Sequence, residues 1–141
     1  MKCLIVEDDF TSRLLLQKQL EHYGECHVAV NGIEAVKAVR MAMDMGEPYD
    51  LICLDIMMPE MDGQAALREI RAMEETHGIL STDGAKILMT TALNDIQNVS
   101  TAYCELADGY LVKPIERNQL VAFLEKSQLL DTRAKCERTR H

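Results

Sequence analysis

The sequence has 141 residues, 48% of them hydrophobic, so it can bury one core but is too short for two domains of ordinary size. A formal charge of −8 and the lack of tryptophan argue against direct nucleic-acid binding, because an acidic chain repels phosphates and has few rings to stack on bases. The first apolar run ends at Glu7, too early for a signal peptide or a membrane span, so we expect a cytoplasmic protein without membrane contact.

Four short apolar segments are predicted to be buried strands of a parallel sheet. They cover residues 3–6, 51–54, 86–90 and 110–112. Most of the stretches between them have helical spacing, which is the pattern of an α/β fold. A further segment alternates Cys26, Val28 and Val30 with polar residues. This alternation predicts a half-exposed strand at an edge of the sheet.

Helical segments are predicted between the strands. They cover residues 11–23, a segment after Asn31-Gly32, a segment from near Gly63, about 94–106 and about 116–130. Gly24 is a natural stop for the first of them.

Five strand-helix units with right-handed crossovers favour one topology. It is a doubly wound sheet with strand order 2-1-3-4-5 and helices on both faces. We assign residues 1–130 to this single domain. Residues 131–141 are expected to extend the last helix or to form a disordered tail.

Acidic residues follow two strands that this order makes neighbours. Glu7 and Asp8 come directly after the first strand, and Asp55 comes directly after the third. Because the carboxyl ends of parallel strands open on one crevice, we expect these carboxylates to converge. Crowded carboxylates have raised pKa values unless a cation neutralises them, and oxygen ligands favour Mg²⁺ over Zn²⁺. Asp9 is instead expected to cap the first helix.

Two further strand ends are predicted to open on the same crevice. Thr90 and Thr91 close the fourth strand, and Lys113 follows the fifth. The sequence therefore predicts a hydroxyl group and an ammonium group beside the carboxylates.

In combination these motifs resemble the CheY-like receiver domains of two-component response regulators. The segments that carry the resemblance are LIVEDD, LDIMMPEMDG, MTTA and GYLVKP, with NGIEAV between them. They span about residues 2–125. The resemblance implies a flavodoxin-like (βα)5 fold and a phosphoryl donor that is a histidine kinase or a histidine phosphotransfer protein.

The resemblance also implies a magnesium-dependent phosphoacceptor site. Asp55 would be the phosphoacceptor. Mg²⁺ would be bound by Asp8, Asp55 and the backbone carbonyl of Met57, with Glu7 acting through metal-bound water. The chain would catalyse only its own phosphorylation and dephosphorylation, and no other enzyme activity is expected.

Further roles implied by the resemblance concern the phosphoryl oxygens. Thr91 and Lys113 would each bind one of them, and Thr91 with Tyr110 would form the conformational switch. The Lys113–Pro114 bond would be cis.

Met57 and Leu93 lie two residues after Asp55 and Thr91, at positions that flank the attacking water in the family. Because both are apolar, we expect slow loss of the phosphoryl group.

Output is expected through protein contacts. The implied surface combines the helix at 94–106, which carries Ile96, Val99 and Tyr103, with the fifth strand and the fifth helix. We expect a monomer or a weak homodimer. The start at Met1 and the completed fifth helix favour a stand-alone regulator, while a phosphorelay intermediate or a receiver excised from a larger regulator are alternatives.

Two other classes of function make different demands on the sequence. An aspartyl-phosphate phosphatase of the haloacid-dehalogenase type would carry a second aspartate two residues after the nucleophile, where this chain has Met57. A degenerate receiver that only scaffolds partners would lack part of the acidic, hydroxyl and lysine set. The residues present disfavour both.

Overall fold

The computed structural model describes residues 1–56, 63–79, 83–92 and 106–130. The strands within them are β1 (Lys2–Val6), β2 (Glu25–Ala29), β3 (Leu51–Asp55), β4 (Lys86–Thr91) and β5 (Gly109–Val112). The helices within them are α1 (Phe10–Leu20), α2 (Gly32–Asp44), α3 (Gly63–Thr76) and α4 (Arg117–Lys126). Predictions that lie outside the described residues concern Met57, Leu93, most of the helix at 94–106 with Ile96, Val99 and Tyr103, and the tail at 131–141.

The five strands are parallel and pair in the order β2-β1-β3-β4-β5, which confirms the predicted topology. In β1, β3 and β4 every residue is buried apart from Lys2 and Lys86. Strands covered on both faces read as continuous apolar runs, which explains why these three were recognisable in the sequence.

Core clusters lie on both faces of the sheet. On one face, α2 and α3 pack against strand residues such as Leu4 and Ile52. On the other face, α1 and α4 pack against Ile5 and Cys53. Successive strand residues point to opposite faces, so each central strand contributes to both clusters. The predicted placement of helices on both faces is confirmed.

The edge strand β2 differs from the prediction in which residues it buries. The alternation predicts an inward face formed by Cys26, Val28 and Val30. Instead Val28 is 46% exposed and Val30 is 38% exposed, whereas Ala29 is buried. Ala29 belongs to the core cluster formed with α2 and α3. On the other face Cys26 is partly buried against the core cluster formed with α1 and α4, whereas Val28 belongs to no core cluster there. The prediction of an edge position is correct, and the predicted burial holds for Cys26 but not for Val28 and Val30.

α1 ends at Leu20, before the predicted end at 23, and Gly24 does not cap it. A Cβ atom on Gly24 would lie 1.9 Å from the carbonyl oxygen of Met1. Glycine is therefore required at position 24 because the chain passes close to the start of β1, and not because the helix stops there.

α4 is shorter than predicted and ends at Lys126 instead of near residue 130. Gln128 has a φ of 62°, in the left-handed region, so the helix does not continue through it. The amides of Leu129 and Leu130 donate to the carbonyl of Leu124 at 2.9 and 3.3 Å and satisfy one of the last helical acceptors.

A network of charged groups joins α3 to the start of β4 and to the segment before β5. Arg71 donates to the Glu74 carboxylate at 2.7 Å and to the Asp108 carboxylate at 3.0 Å. It also donates to the carbonyls of Leu106 and Ala85, each at 2.9 Å. The buried Glu74 accepts a further bond from the Ala85 amide at 2.7 Å. One guanidinium group thus ties β5 to α3.

We expect Arg71→Met to lower the free energy of unfolding by roughly 3 kcal/mol or more, because it leaves the Glu74 carboxylate buried without its cation. The double variant Arg71→Met/Glu74→Leu should recover part of this loss, since it removes both charges. Arg40→Met, on the exposed side of α2, is the matched control and should change stability by less than about 0.5 kcal/mol. Urea unfolding followed by circular dichroism gives the free energy of unfolding of wild type and the three variants. Equal losses in Arg71→Met and Arg40→Met would contradict the prediction.

Candidate functional site

The carboxyl ends of β1 and β3 bring three carboxylates together. Val6 pairs with Leu54 in the parallel register, so the residues that follow them reach the same edge of the sheet. One oxygen from each of Glu7, Asp8 and Asp55 lies within 4.8 Å of the others. Glu7 and Asp55 are 3% and 4% exposed, whereas Asp8 is exposed to solvent. The predicted convergence is confirmed.

The ammonium group of Lys113 lies between the two buried carboxylates. Its Nζ is 3.2 Å from Oδ2 of Asp55 and forms a closer ion pair with Oε1 of Glu7. The Lys113 amide donates to the Thr91 carbonyl at 2.7 Å, which continues the pairing of β4 and β5 by one residue. The Lys113–Pro114 bond is cis, as the resemblance implied.

The pKa values report the balance of charge at this edge. Burial raises the pKa of Glu7 above its ordinary 4.5, and the neighbouring Asp55 adds to the rise while Lys113 opposes it. For Lys113, burial alone would lower the pKa, but the hydrogen bond to Glu7 and the charges of Asp55 and Glu7 outweigh burial and raise it. Among the described residues at this edge, three carboxylates face one ammonium, which leaves an excess of negative charge.

The donor set fits a hard divalent cation. The three clustered ligand atoms are all carboxylate oxygens, and no thiolate or imidazole belongs to the group, which favours Mg²⁺ over Zn²⁺. Asp8 opens the cluster to solvent, so an ion bound here can keep several waters. Met57, expected to supply a backbone carbonyl, lies outside the described residues.

The predicted hydroxyl group lies at the end of the neighbouring strand. Asp55 pairs with Thr90 in the register of β3 and β4, and Thr91 follows. Thr91 is fully buried, and its Oγ1 donates to the Ala92 carbonyl at 3.2 Å. In this structure the Thr91 hydroxyl donates to a backbone carbonyl, so it has to rotate before it can donate to a ligand in the crevice.

Tyr110, the predicted partner of Thr91 in the switch, lies on β5. It pairs with Met89 in the register of β4 and β5, and its side chain is 51% exposed. The ring therefore lies at the surface of the edge strand and not in the core.

The turn between β1 and α1 is fixed on both sides of Asp8. Oδ2 of Asp9 accepts from the Ser12 amide at 2.9 Å, which confirms the predicted helix cap, and this bond lowers the pKa of Asp9. Arg13 donates to the backbone carbonyl of Glu7 at 2.9 Å. This contact of Arg13 is not predictable from the sequence, since an arginine within a helix carries no local signal for a backbone contact.

Gly63 is a second site residue whose role the sequence analysis missed. A Cβ atom there would lie 2.1 Å from the carbonyl oxygen of Asp55, and the Gly63 amide donates to the Ile56 carbonyl at 2.9 Å. Only glycine lets the first turn of α3 approach the end of β3 this closely. The sequence contains this glycine in MDG, but by itself it predicts only the start of a helix there.

Comparison with known proteins gives one consistent family. A family model described as the response regulator receiver domain matches residues 3–125. The chain is 32% identical over 125 residues to the transcriptional regulatory protein ZraR of Escherichia coli (strain K12), which covers 88% of this chain and 25% of that protein. It is 35% identical over 134 residues to the two-component response regulator ORR41 of Oryza sativa subsp. japonica, which covers 92% of this chain and 95% of that protein.

Among solved structures, the chain resembles the receiver domain of the sensor histidine kinase PA1611 from Pseudomonas aeruginosa PAO1, which has a magnesium ion coordinated in its active site cleft. The TM-score is 0.71 at 28% identity, and the match covers 89% of this chain and 94% of that one.

The chain spans only a quarter of the length of ZraR. Within the described residues, no helix is long and apolar enough to cross a membrane.

The raised pKa of Glu7 predicts how stability depends on pH once a chelator has removed divalent ions. The folded carboxyl binds a proton more readily than the unfolded one, so its contribution to the free energy of unfolding grows as the pH falls through the folded pKa. We expect wild type to gain stability relative to Glu7→Gln between about pH 8 and about pH 5. Urea unfolding at a series of pH values measures the difference.

Asp9→Asn is the control for this experiment. The pKa of Asp9 lies below its ordinary 3.8, so its contribution is lost only at lower pH. The variant should keep most of the wild-type stability, because the side-chain oxygen of asparagine also caps a helix, and the pH dependence over the same interval should be unchanged. Parallel pH curves for wild type and Glu7→Gln would contradict the assignment.

Proposed function

The chain belongs to the response regulator receiver domain family, and on this basis we propose that it accepts a phosphoryl group on Asp55 and signals by phosphorylation-dependent protein contact. One observation carries the proposal. The buried Asp55 carboxylate lies 3.2 Å from the Lys113 ammonium and within 4.8 Å of oxygens of Glu7 and Asp8. Such a site combines a nucleophile with the charges that phosphoryl transfer needs.

The position of Asp55 in the sheet distinguishes it from the other two acids. β3 lies between β1, which leads to Glu7 and Asp8, and β4, which leads to Thr91. A phosphoryl group on Asp55 therefore has the acidic pair on one side and a hydroxyl on the other. Glu7 and Asp8, one strand further from Thr91, lack this position.

The proposed reaction transfers a phosphoryl group from a phosphohistidine on a histidine kinase or a histidine phosphotransfer protein. An oxygen of Asp55 attacks phosphorus, and the bond from phosphorus to the imidazole nitrogen breaks, with its electron pair staying on that nitrogen. The ring leaves as neutral imidazole if its other nitrogen carries a proton, and otherwise it takes a proton from solvent. Lys113 and, after rotation, Thr91 hold two of the three equatorial oxygens. Mg²⁺, held by Asp8 and Asp55, with Glu7 acting through water and Met57 through its carbonyl, would supply neutralising charge.

The proposed switch connects Thr91 to Tyr110. When the Thr91 hydroxyl turns from the Ala92 carbonyl toward a phosphoryl oxygen, it vacates space at the end of β4. Tyr110, half exposed in this structure, can then turn inward. This local change alters the surface of β5 and α4. A downstream protein target would bind to this surface together with the segment at 94–106.

The whole-protein role is part of the proposal. A match over 95% of ORR41 favours a single-domain regulator. A match over a quarter of ZraR, and the origin of the PA1611 domain in a sensor histidine kinase, favour a receiver within a larger regulator or a phosphorelay intermediate as the alternative. In either case the chain would act in the cytoplasm, as a monomer or weak homodimer, and would catalyse only its own phosphorylation and dephosphorylation.

Incubation with acetyl phosphate and Mg²⁺ is expected to add one phosphoryl group to wild type, measured as intact mass. Asp55→Asn should add none, because an amide is not a nucleophile toward phosphorus at neutral pH. Lys113→Met should react roughly a hundredfold more slowly, since one cationic contact to the transition state is lost. Asp9→Asn, which changes a neighbouring acid outside the cluster, is the control and should react like wild type. An unchanged mass of wild type would refute the proposal.

The acyl phosphate is expected to persist for minutes or longer once the donor is removed. Neither Met57 nor Leu93 can accept a proton from water or orient it. Met57→Asn should shorten the lifetime by roughly tenfold, because a polar side chain at this position can hold the attacking water. Decay of radiolabel in magnesium buffer measures both proteins, and a wild-type lifetime of seconds would show that the prediction is wrong.

A further inference from the structure

Asp8 is the exposed member of the acidic cluster, and its position depends on the backbone on either side of it. Glu7 and Asp55 are buried and form ion pairs with Lys113, whereas Asp8 is exposed to solvent. Packing therefore does little to fix its carboxylate. The backbone angles of Asp8 are set instead by the two peptide planes that flank it, because each peptide unit is rigid and planar.

Each of these two planes is held by a hydrogen bond. The first peptide joins Glu7 to Asp8, and its carbonyl oxygen accepts from Nη1 of Arg13 at 2.9 Å. The second peptide joins Asp8 to Asp9, and its amide donates to Oε2 of Glu7 at 3.3 Å. A distance of 3.3 Å is longer than usual for a bond from nitrogen to oxygen. Arg13 therefore supplies the stronger of the two restraints on Asp8.

The Arg13 side chain is itself held in place. It is half-buried at the end of the first turn of α1, and its guanidinium carbon is 5.5 Å from the centroid of the Phe10 ring, within the range of a cation–π contact. The helix that carries it is anchored to the core by Leu16 and Leu20. A packed helix thus brings a fixed donor to the end of β1.

We propose that Arg13 is a positioning residue for Asp8, and through Asp8 for the binding of Mg²⁺. Its hydrogen bond orients the peptide between Glu7 and Asp8 and so directs the Asp8 carboxylate toward the carboxylates of Glu7 and Asp55. The positive charge of Arg13 would by itself oppose a bound cation, so the hydrogen bond and the charge act in opposite directions. The effect on Mg²⁺ rests on the metal binding that the proposed function includes, and not on phosphoryl transfer.

Arg13→Met tests the proposal because it keeps an unbranched side chain with good helix propensity and removes the guanidinium group. We expect the dissociation constant for Mg²⁺, measured by calorimetry, to rise roughly three- to tenfold, as for the loss of a net hydrogen bond. If Arg13 acted only through its charge, the same variant would bind Mg²⁺ more tightly. Lys18→Met removes an exposed positive charge from the same helix. It is the matched control and should bind Mg²⁺ within about twofold of wild type.

Two further measurements separate positioning from a general loss of stability. In the metal-free protein, the NMR order parameters of the Asp8 and Asp9 amides should fall below the rigid-backbone value of about 0.85 in Arg13→Met, while that of Ile5 within β1 should not change. In the reaction with acetyl phosphate, the Mg²⁺ concentration for half-maximal rate should rise by the same factor as the dissociation constant. The rate at saturating Mg²⁺ should change by less than about twofold.

Several outcomes would overturn the proposal. They are an unchanged or higher Mg²⁺ affinity in Arg13→Met, an equal loss of affinity in Lys18→Met, and a large fall in rate at saturating Mg²⁺. If wild type binds Mg²⁺ but incorporates no phosphoryl group, the proposed function fails, and calorimetry still decides the role of Arg13. If wild type binds no Mg²⁺, the order parameters decide it. Values equal to those of wild type would then show that Arg13 does not position Asp8.

Discussion

The parallel pairing of β1 with β3 holds buried carboxylates beside each other against their mutual repulsion. Both strands are enclosed between helical layers, so burial of their apolar side chains fixes the register that delivers Glu7 and Asp55 to one edge. The cost appears in the raised pKa of Glu7. A site of this kind attracts cations, and the ammonium of Lys113 neutralises only part of its negative charge. Its capacity to bind a hard divalent ion and to react as a nucleophile both follow from this packing.

Lys113, whose ammonium is the cation of the site, directly follows β5, the most weakly buried strand of the sheet. β5 has four residues, lies at an edge and contains no fully buried residue. It is held at both ends by polar contacts instead. Before the strand, Arg71 bonds Asp108 and the Leu106 carbonyl; after it, Gln19 bonds the Ile115 carbonyl. The fold thus uses hydrophobic burial to place the acids and long-range hydrogen bonds to place the lysine.

This division also explains how much the sequence could predict. Buried strands with apolar runs and right-handed crossovers are local or general properties, so the strand order and the convergence of the acids followed from them. The roles given to Thr91, Lys113 and Tyr110 came from the family resemblance. Contacts such as Arg71 with Asp108, 37 residues apart, leave no periodic trace in a sequence. The exposure of Val28 in β2 was not predictable, because an edge strand is covered unequally, which alternation alone does not reveal.

The same geometry sets a condition on the proposed reaction. Lys113 is bound more closely to Glu7 than to Asp55 in this structure, yet a phosphoryl group on Asp55 needs the same ammonium. The single positive charge of the lysine is then shared between Glu7 and a phosphoryl oxygen. Sharing it leaves a buried carboxylate short of a counter-charge at the moment when more negative charge enters the site. A divalent ion bound by the acidic cluster would compensate for this loss, which gives a physical reason why phosphoryl transfer at Asp55 should depend on the metal.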